Sequence, residues 1–362
     1  MIDPTSIFKI LLRIICFPHF CDLSYKNFIF FIRHPNIKRC IMYQLELQAR
    51  RKFLGATTAT ALSLTSAEIA NAQTAPTTIR MPIAPRRQWD QKNGYCGECS
   101  IQQAALYFGT YVSQYVCRAI INTNQQSQLL VAVNAQKVLT ALKLNSAEFN
   151  YNGYASPQFQ SYFGWVKQHL KLLHPVLITA FVKGLSDPDY DHIMLATGVT
   201  ASNFTTYNST DQLYFNDCFS SQVSIRTAST LNDIRSMLVN GAKYSFCIPT
   251  KICYGCAVLG IQDTSARALP VSITLGNWTE PNVIAGVAPS TLSASVSVNG
   301  LVVGKSYSLF RYNDYRTVPT ANYTASTYST VRNFVASGTM ANFTENITSN
   351  GVAIFRCVPT GS

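Results

Sequence analysis

The stretch NGYCGECSIQQAALYFG, residues 93–109, carries two cysteines three positions apart at the start of a helical pattern. A glycine at position 94 indicates a turn, and apolar side chains then recur at the i, i+3, i+4 and i+7 spacing of a helix. This apolar stripe consists of Ile101, Ala104, Ala105 and Phe108. The pattern predicts a helix that begins near Cys96 and ends at Gly109. Cys96 and Cys99 could be a redox pair, half of a metal site, disulfide partners or a nucleophile with a structural neighbour.

The composition of the 362 residues is that of an ordinary globular protein, with 13% charged and 12% aromatic residues. No run of 18 apolar residues occurs, so we expect no stable membrane insertion. The net charge is +12, but after residue 72 only Arg86 and Arg87 are adjacent bases. Because the positive charge is scattered and no nucleic-acid-binding motif is present, we expect no nucleic-acid partner.

The first 72 residues are predicted to lie outside the fold. Residues 1–41 contain no convincing element and are interpreted as a spurious or dispensable leader. Residues 42–72 resemble a bacterial twin-arginine export signal, with paired arginines at 50 and 51, a weakly apolar run and an A-x-A ending at 70–72. Six N-x-S/T sequons after residue 72 fit secretion from a eukaryotic cell as the alternative. Either route predicts an exported protein, periplasmic or extracellular.

The remaining chain is expected to form a linker and two domains. Residues 73–87 are rich in Pro and Thr and are interpreted as the linker. Residues 88–264 show helical patterns first and strand patterns later, which predicts an α+β domain. After the helix at Cys96, the predicted helices are 129–143, 157–172 and 229–239, and the predicted strands are 175–182, 192–199, 212–217 and 243–249. Residues 265–362 alternate in polarity, most strictly at 291–298, which predicts a small β-sandwich.

Eight cysteines follow residue 72, and in an oxidising compartment most are expected to form disulfides. A four-thiolate zinc site would combine Cys96-x-x-Cys99 with Cys253-x-x-Cys256, but more than 150 residues separate the two motifs. A thioredoxin-like redox pair would follow a strand, whereas a polar, turn-rich segment precedes Cys96. Both alternatives are therefore disfavoured.

A nucleophilic cysteine at the helix start has the partners that it needs downstream. The helix N-terminus lowers the pKa of a thiol there, although Glu98 in the first turn makes the local field less favourable to a thiolate. His192 opens an apolar strand about a hundred residues later, and the next strand ends in Asn216-Asp217. This order supplies a nucleophile, a base and a group that orients the base. His169 and His174 are interpreted as packing or capping residues.

The order of Cys, His and Asn or Asp, with the motifs DHIMLATGV and LYFND, resembles papain-like cysteine peptidases and most closely the bacteriocin-processing C39-like peptidases. The resemblance covers about residues 88–250 and implies N-terminal helices followed by an antiparallel sheet. It makes Cys96 the nucleophile, His192 the general base and Asp217 the orienting residue, with Asn216 as the alternative. The oxyanion glutamine of these families has no match at its usual position, so Gln91 is placed slightly ahead of Gln88.

The resemblance implies a thiol hydrolase that cleaves peptide or amide bonds in a peptide or protein substrate without a cofactor. Two alternatives stay open. An alignment to papain itself would make Cys99 the nucleophile, with Cys96 in a disulfide and Asn93 in the oxyanion position. The second alternative is a non-catalytic exported binding protein on the same scaffold, with all eight cysteines bridged. The sequence does not indicate the oligomeric state.

Overall fold

The computed structural model describes residues 75–89, 94–121, 128–182, 190–219, 222–231, 246–249, 251–276, 290–325 and 327–360. The predicted leader, the predicted export signal and the candidate oxyanion residue Gln91 lie outside these ranges. No helix within them is long and apolar enough to cross a membrane.

Five α-helices are described: α1 (Cys96–Tyr107), α2 (Gln114–Ile121), α3 (Ala135–Ala141), α4 (Phe159–Lys171) and α5 (Ala228–Leu231). Short 3-10 helices span Tyr151–Gly153, Tyr315–Thr317 and Tyr323–Ala325. The helices predicted at 96–109 and 157–172 are confirmed. The helix predicted at 129–143 is shorter, because turns that include Ala132 at φ 66° precede α3. Most of the helix predicted at 229–239 lies outside the described residues.

An eight-stranded sheet forms the centre of the fold. Its strands are β1 (Thr77–Arg80), β3 (Leu144–Glu148), β4 (Val176–Val182), β5 (His192–Ala201), β6 (Gln212–Asp217), β7 (Gln222–Thr227), β8 (Phe246–Cys247) and β9 (Gly255–Ile261). The order along the sheet is β3-β9-β4-β5-β6-β7, with β1 beside β5 and β8 beside β4. All of these pairings are antiparallel. The helices and this sheet confirm the predicted α+β class.

The register of the central strands brings two polar ends together. Residue Leu195 of β5 pairs with Asn216 of β6, so the start of β5 and the end of β6 lie at the same edge of the sheet. Helix α1 packs against β5, and a Cβ at Gly97 would meet a side-chain carbon of Ile193 at 3.0 Å. The glycine therefore lets the first turn of α1 approach the strand that begins at His192.

Residues 73–87 differ from the predicted linker. Strand β1 lies within them and pairs with residues 198–201 of β5. Met81 and Ile83 follow it and are buried in the main core. The Pro/Thr composition suggested a solvated segment, but alternate apolar side chains reach the core, and β-branched residues at 77–79 suit a strand. This segment therefore adds a strand to the sheet and leads directly into the site.

Two smaller sheets follow and share a second hydrophobic core. One contains β10 (Val271–Leu275), β11 (Thr291–Asn299) and β14 (Met340–Thr348); the other has the order β13 (Thr330–Val335), β12 (Ser306–Tyr312), β15 (Val352–Pro359) and β2 (Thr110–Val112). The alternation predicted in β11 is confirmed, since Leu292, Ala294, Val296 and Val298 are buried. Strand β2 comes from the segment before residue 264 and pairs with β15, so a strand pairing crosses the predicted boundary.

Candidate active site

The N-terminus of α1 carries the candidate nucleophile. Gly94, at φ +64°, forms the turn before the helix, and Cys96 is the first helical residue. Cys96 is half-buried, whereas the other seven described cysteines are buried. No side chain caps this end of the helix. The unpaired N–H groups of the first turn and the positive end of the helix dipole therefore lie at this position.

Glu98 was expected to disfavour a thiolate at the helix start, but in the structure it forms a buried ion pair with Arg118. The Glu98 side chain is completely buried and accepts a hydrogen bond from Arg118 Nε at 2.7 Å and another from Leu129 N at 3.2 Å. Arg118 also donates to Gly94 O at 2.8 Å and stacks on the ring of Tyr95 at 3.5 Å. Burial raises the pKa of Glu98, while Arg118 acts in the opposite direction. The Glu98–Arg118 pair therefore stabilises the turn before Cys96 through the contacts of Arg118 with Gly94 and Tyr95.

His192 is the centre of the candidate site. Its side chain is 2% exposed, and Nε2 lies 3.3 Å from Asp217 Oδ1. Phe219 covers the imidazole, with the two ring centroids 4.0 Å apart and the planes 15° from parallel. The other ring nitrogen, Nδ1, is buried and makes no hydrogen bond of normal geometry with the described residues. One nitrogen is thus held by a carboxylate, and the other remains available for proton transfer.

Cys96 influences the pKa of this imidazole. Burial lowers the pKa of His192, but hydrogen bonds with Asp217 and Cys96 and the charges of both groups outweigh burial and raise it to about 9. The surroundings therefore stabilise the charged form of His192 beside the Asp217 carboxylate. Nucleophilic thiol catalysis requires a cysteine and a histidine close enough to exchange a proton.

Asp217 and Asn216 point in opposite directions, as successive residues of a strand must. Asp217 contacts His192 and also accepts a hydrogen bond from Phe219 N at 2.9 Å. Asn216 is completely buried, and its Nδ2 donates to Ile83 O at 2.9 Å. The structure therefore places Asp217, and not Asn216, beside the imidazole. The hydrogen bond of Asn216 instead joins the segment after β1 to strand β6.

Gln88 is brought into the site by Cys218, a residue that the sequence analysis did not single out. The backbone N–H of Gln88 donates to Cys218 O at 3.0 Å, and the Cys218 thiol donates to Gln88 Oε1 at 3.7 Å. Gln88 Nε2 is buried without a hydrogen-bond partner among the described residues. An unpaired buried donor is costly, and this one belongs to a side chain whose Oε1 contacts Cys218. The signal for Cys218 was its position directly after Asp217.

Cys99 lies one turn further along α1 and is completely buried. Its thiol donates to Arg86 O at 3.4 Å and accepts from Gln103 Nε2 at 3.4 Å. The expectation that most cysteines are bridged is not met, since none of the eight described cysteines forms a disulfide. The buried cysteines away from the candidate site pack instead as small apolar side chains. Burial raises the pKa of Cys253 and Cys256 to about 12, as it does for Cys357.

Metal-ligating side chains also meet at this site. Within the described ranges, one group of three or more such residues is compact enough for a single ion: His192, Asp217 and Cys218. It includes none of the cysteines of the two C-x-x-C motifs. His169 and His174 form a separate pair, with their Nδ1 atoms 3.3 Å apart. Burial and the neighbouring His174 lower the pKa of His169 to about 4, so a neutral packing role suits this pair.

A cavity of about 520 Å³ lies at the other end of α1. Tyr107, Phe108, His174 and Val271 are among its mainly apolar lining residues, and none of the candidate site residues lines it. The length of α1 separates the two places by about 17 Å. The cavity and the candidate active site are therefore distinct.

Comparison with known proteins adds no family assignment. No protein-family model matches the chain, and no curated protein shows significant similarity to it.

Proposed function

We propose that this protein is an exported thiol hydrolase that cleaves peptide or amide bonds with Cys96, His192 and Asp217. The observation that carries the proposal is the position of His192: its Nε2 lies 3.3 Å from Asp217 Oδ1, and Gly97, next to Cys96, packs against Ile193, next to His192. Interaction with Cys96 also raises the pKa of His192. A helix N-terminus, an imidazole and a carboxylate then act on one sulfur atom. These are the three parts that activated cysteine nucleophiles require.

The chemistry follows from these positions. The Cys96 thiolate attacks the substrate carbonyl carbon, and the negative charge moves to the carbonyl oxygen. The backbone N–H of Cys96 and Nε2 of Gln88 are the donors that would stabilise this oxyanion. The imidazolium of His192 gives its proton to the leaving nitrogen as the C–N bond breaks. Water then attacks the thioester after it has transferred a proton to the imidazole, and the Cys96 sulfur leaves.

The chain order supports a papain-like arrangement of the C39 type. The nucleophile begins the first long helix, the base begins a central antiparallel strand, and the orienting carboxylate ends the next strand. This order is similar to that of papain-like peptidases and makes a peptide or protein the expected substrate. Export by the twin-arginine route remains part of the proposal and rests on residues 42–72 of the sequence.

Thiol alkylation of the folded protein tests the proposal without a known substrate. Iodoacetamide is expected to modify Cys96 faster than the seven buried cysteines, with the site mapped by peptide mass spectrometry. An ordinary thiol is only a few per cent thiolate at pH 7, so His192→Ala should slow the modification of Cys96 by about 10–30-fold. His169→Ala is the matched control and should leave the rate unchanged.

The result also separates the alternatives. Fast modification of Cys99 in place of Cys96 would support the papain-type alignment. A folded protein in which Cys96 does not react would favour the non-catalytic binding protein. A Cys96 rate that does not depend on His192 would show that the two residues do not form the proposed pair.

Gln88 gives an independent test of the oxyanion assignment. Gln88→Ala is expected to lower kcat by about 10²–10³-fold with little change in KM, because the donor acts mainly in the transition state. The activity is measured on the best-cleaved member of a fluorogenic peptide library. Gln222→Ala removes an exposed glutamine from β7 and serves as the control. A rise in KM with unchanged kcat would assign Gln88 to substrate binding instead.

A further inference from the structure

Three potential metal ligands, His192, Asp217 and Cys218, lie close together at the end of β6. His192 Nε2 lies 3.3 Å from Asp217 Oδ1 and 3.9 Å from Cys218 Sγ. All three ligand atoms lie within 4.8 Å of one another. Zinc binds nitrogen and oxygen at about 2.0–2.1 Å and thiolate sulfur at about 2.3 Å, usually in a tetrahedron. Tetrahedral angles place such ligand atoms about 3.3–3.6 Å apart, so small side-chain shifts are sufficient.

We propose that His192, Asp217 and Cys218 form an inhibitory binding site for a divalent transition metal of the Zn²⁺ class. The inhibitory role rests on the proposed hydrolase function, whereas metal binding itself does not. Gln88 Oε1, 3.7 Å from Cys218 Sγ, or a water molecule can take the fourth position. This donor set of one imidazole, one carboxylate, one thiolate and one neutral oxygen suits zinc and cobalt better than magnesium or calcium.

The charge balance supports a buried site. His192, Asp217 and Cys218 are all buried. An ion of charge +2 with one carboxylate and one thiolate leaves no net charge, which avoids the cost of a buried unpaired charge. Binding releases two protons to solvent, one from the Cys218 thiol and one from Nε2 of the His192 imidazolium, because the metal takes a thiolate and a neutral imidazole as its ligands. The three side chains and the ion thus form a neutral unit beneath Phe219.

Metal binding and catalysis exclude each other at His192. When Nε2 donates its lone pair to the metal, the remaining proton of the neutral imidazole is on Nδ1. Transfer of that proton to a leaving group would produce an imidazolate, so His192 can no longer serve as the general acid. Asp217 is also diverted from Nε2 to the ion. The metal therefore switches off the reaction without contact with Cys96.

Cobalt binding to the full chain tests the site without any requirement for activity. The Cys96→Ala variant lacks the nucleophile but retains the three proposed ligands. It is expected to bind one equivalent of Co²⁺ with the absorption of a tetrahedral ion and a thiolate-to-cobalt charge-transfer band. Added Zn²⁺ should displace the cobalt and remove both signals.

Cys218→Ala, made in the Cys96→Ala background, should lose the charge-transfer band and at least tenfold in affinity, since it removes a direct ligand. Asp217→Asn keeps the shape of the side chain and should weaken binding while the charge-transfer band remains. Thermal melts confirm that each variant is folded. Absence of the band in Cys96→Ala, with its presence in a Cys218→Ala variant that retains Cys96, would assign the metal to Cys96 and His192 and overturn the proposal. An unchanged band in the double variant would overturn it as well.

If cobalt binds as expected but no peptide is cleaved by the native chain, the metal site stands and the hydrolase proposal fails. If cleavage occurs and Co²⁺ does not bind, the hydrolase stands and the inhibitory site fails. If the native chain both cleaves peptides and binds Co²⁺, Zn²⁺ should stop the cleavage, and a chelator should restore it.

Discussion

His192→Ala is expected to abolish peptide hydrolysis, with kcat reduced by about 10⁴-fold or more. The imidazole receives the thiol proton and returns it to the leaving nitrogen, so both bond-making and bond-breaking depend on it. Cys96→Ala should have an equally large effect. The double variant should lose no more than either single variant, because residues that act as a unit are not additive. The measurement is kcat on a fluorogenic peptide that the native chain cleaves.

Two controls separate this result from a general loss of structure. His169→Ala removes a histidine that lies in α4 outside the site and should retain activity within about a factor of two. Cys99→Ala removes a buried thiol bonded to Arg86 O and Gln103, and it should retain hydrolysis. Loss of activity in Cys99→Ala with retention in Cys96→Ala would reverse the assignment of the nucleophile. Equal activity of native protein and His192→Ala would remove the basis of the proposed mechanism.

Arg118→Met is expected to lower the free energy of unfolding by about 3–5 kcal/mol. The substitution keeps a long side chain but leaves the Glu98 carboxylate buried without its ionic partner, which is the costly way to break a buried pair. Gly94 O loses its hydrogen bond and Tyr95 loses the stacked guanidinium. Urea denaturation monitored by circular dichroism measures the change.

The matched control is Arg332→Met, in which the arginine is 53% exposed and pairs with Glu345 at 3.2 Å. Exposed pairs contribute about 0–1 kcal/mol, so its effect should be clearly smaller. The double variant Glu98→Gln, Arg118→Met should recover part of the lost stability, because a neutral amide replaces the unpaired carboxylate. A loss below about 1 kcal/mol in Arg118→Met would contradict the prediction, because it would show that Arg118 is not needed to neutralise a buried Glu98 carboxylate.

Several features of the fold were predictable because local physical chemistry dictates them. The spacing of apolar residues placed the helix start at Cys96, and the apolar run after His192 placed the start of β5. The strand predicted at 212–217 has the same bounds as β6. Strict alternation at 291–298 correctly identified the buried face of β11. In each case the period of the pattern matches the geometry of the element and needs no long-range contact.

The prediction of a linker at 73–87 and of bridged cysteines failed for a common reason. Amino-acid composition indicates how polar a segment is on average and which cellular compartment suits its cysteines. Whether a segment forms a strand, or two cysteines a disulfide, depends on which distant residues lie beside them in the fold. Strand β1 exists because residues 198–201 offer it a free edge. None of the eight described cysteines forms a disulfide, and seven of them are buried.

Local sequence patterns specify the chemical types at the candidate site: a cysteine at a helix start, a histidine at a strand start and a carboxylate at a strand end. Which cysteine, histidine and carboxylate come into contact depends on how the helix and strands pack. Strand alternation directs Asp217 to His192 and Asn216 to Ile83. The antiparallel register of β5 and β6 brings Cys218 to the imidazole, and its position directly after Asp217 was the one sequence signal for it. A local pattern specifies the element, but contacts between residues far apart in the chain depend on how those elements pair and pack.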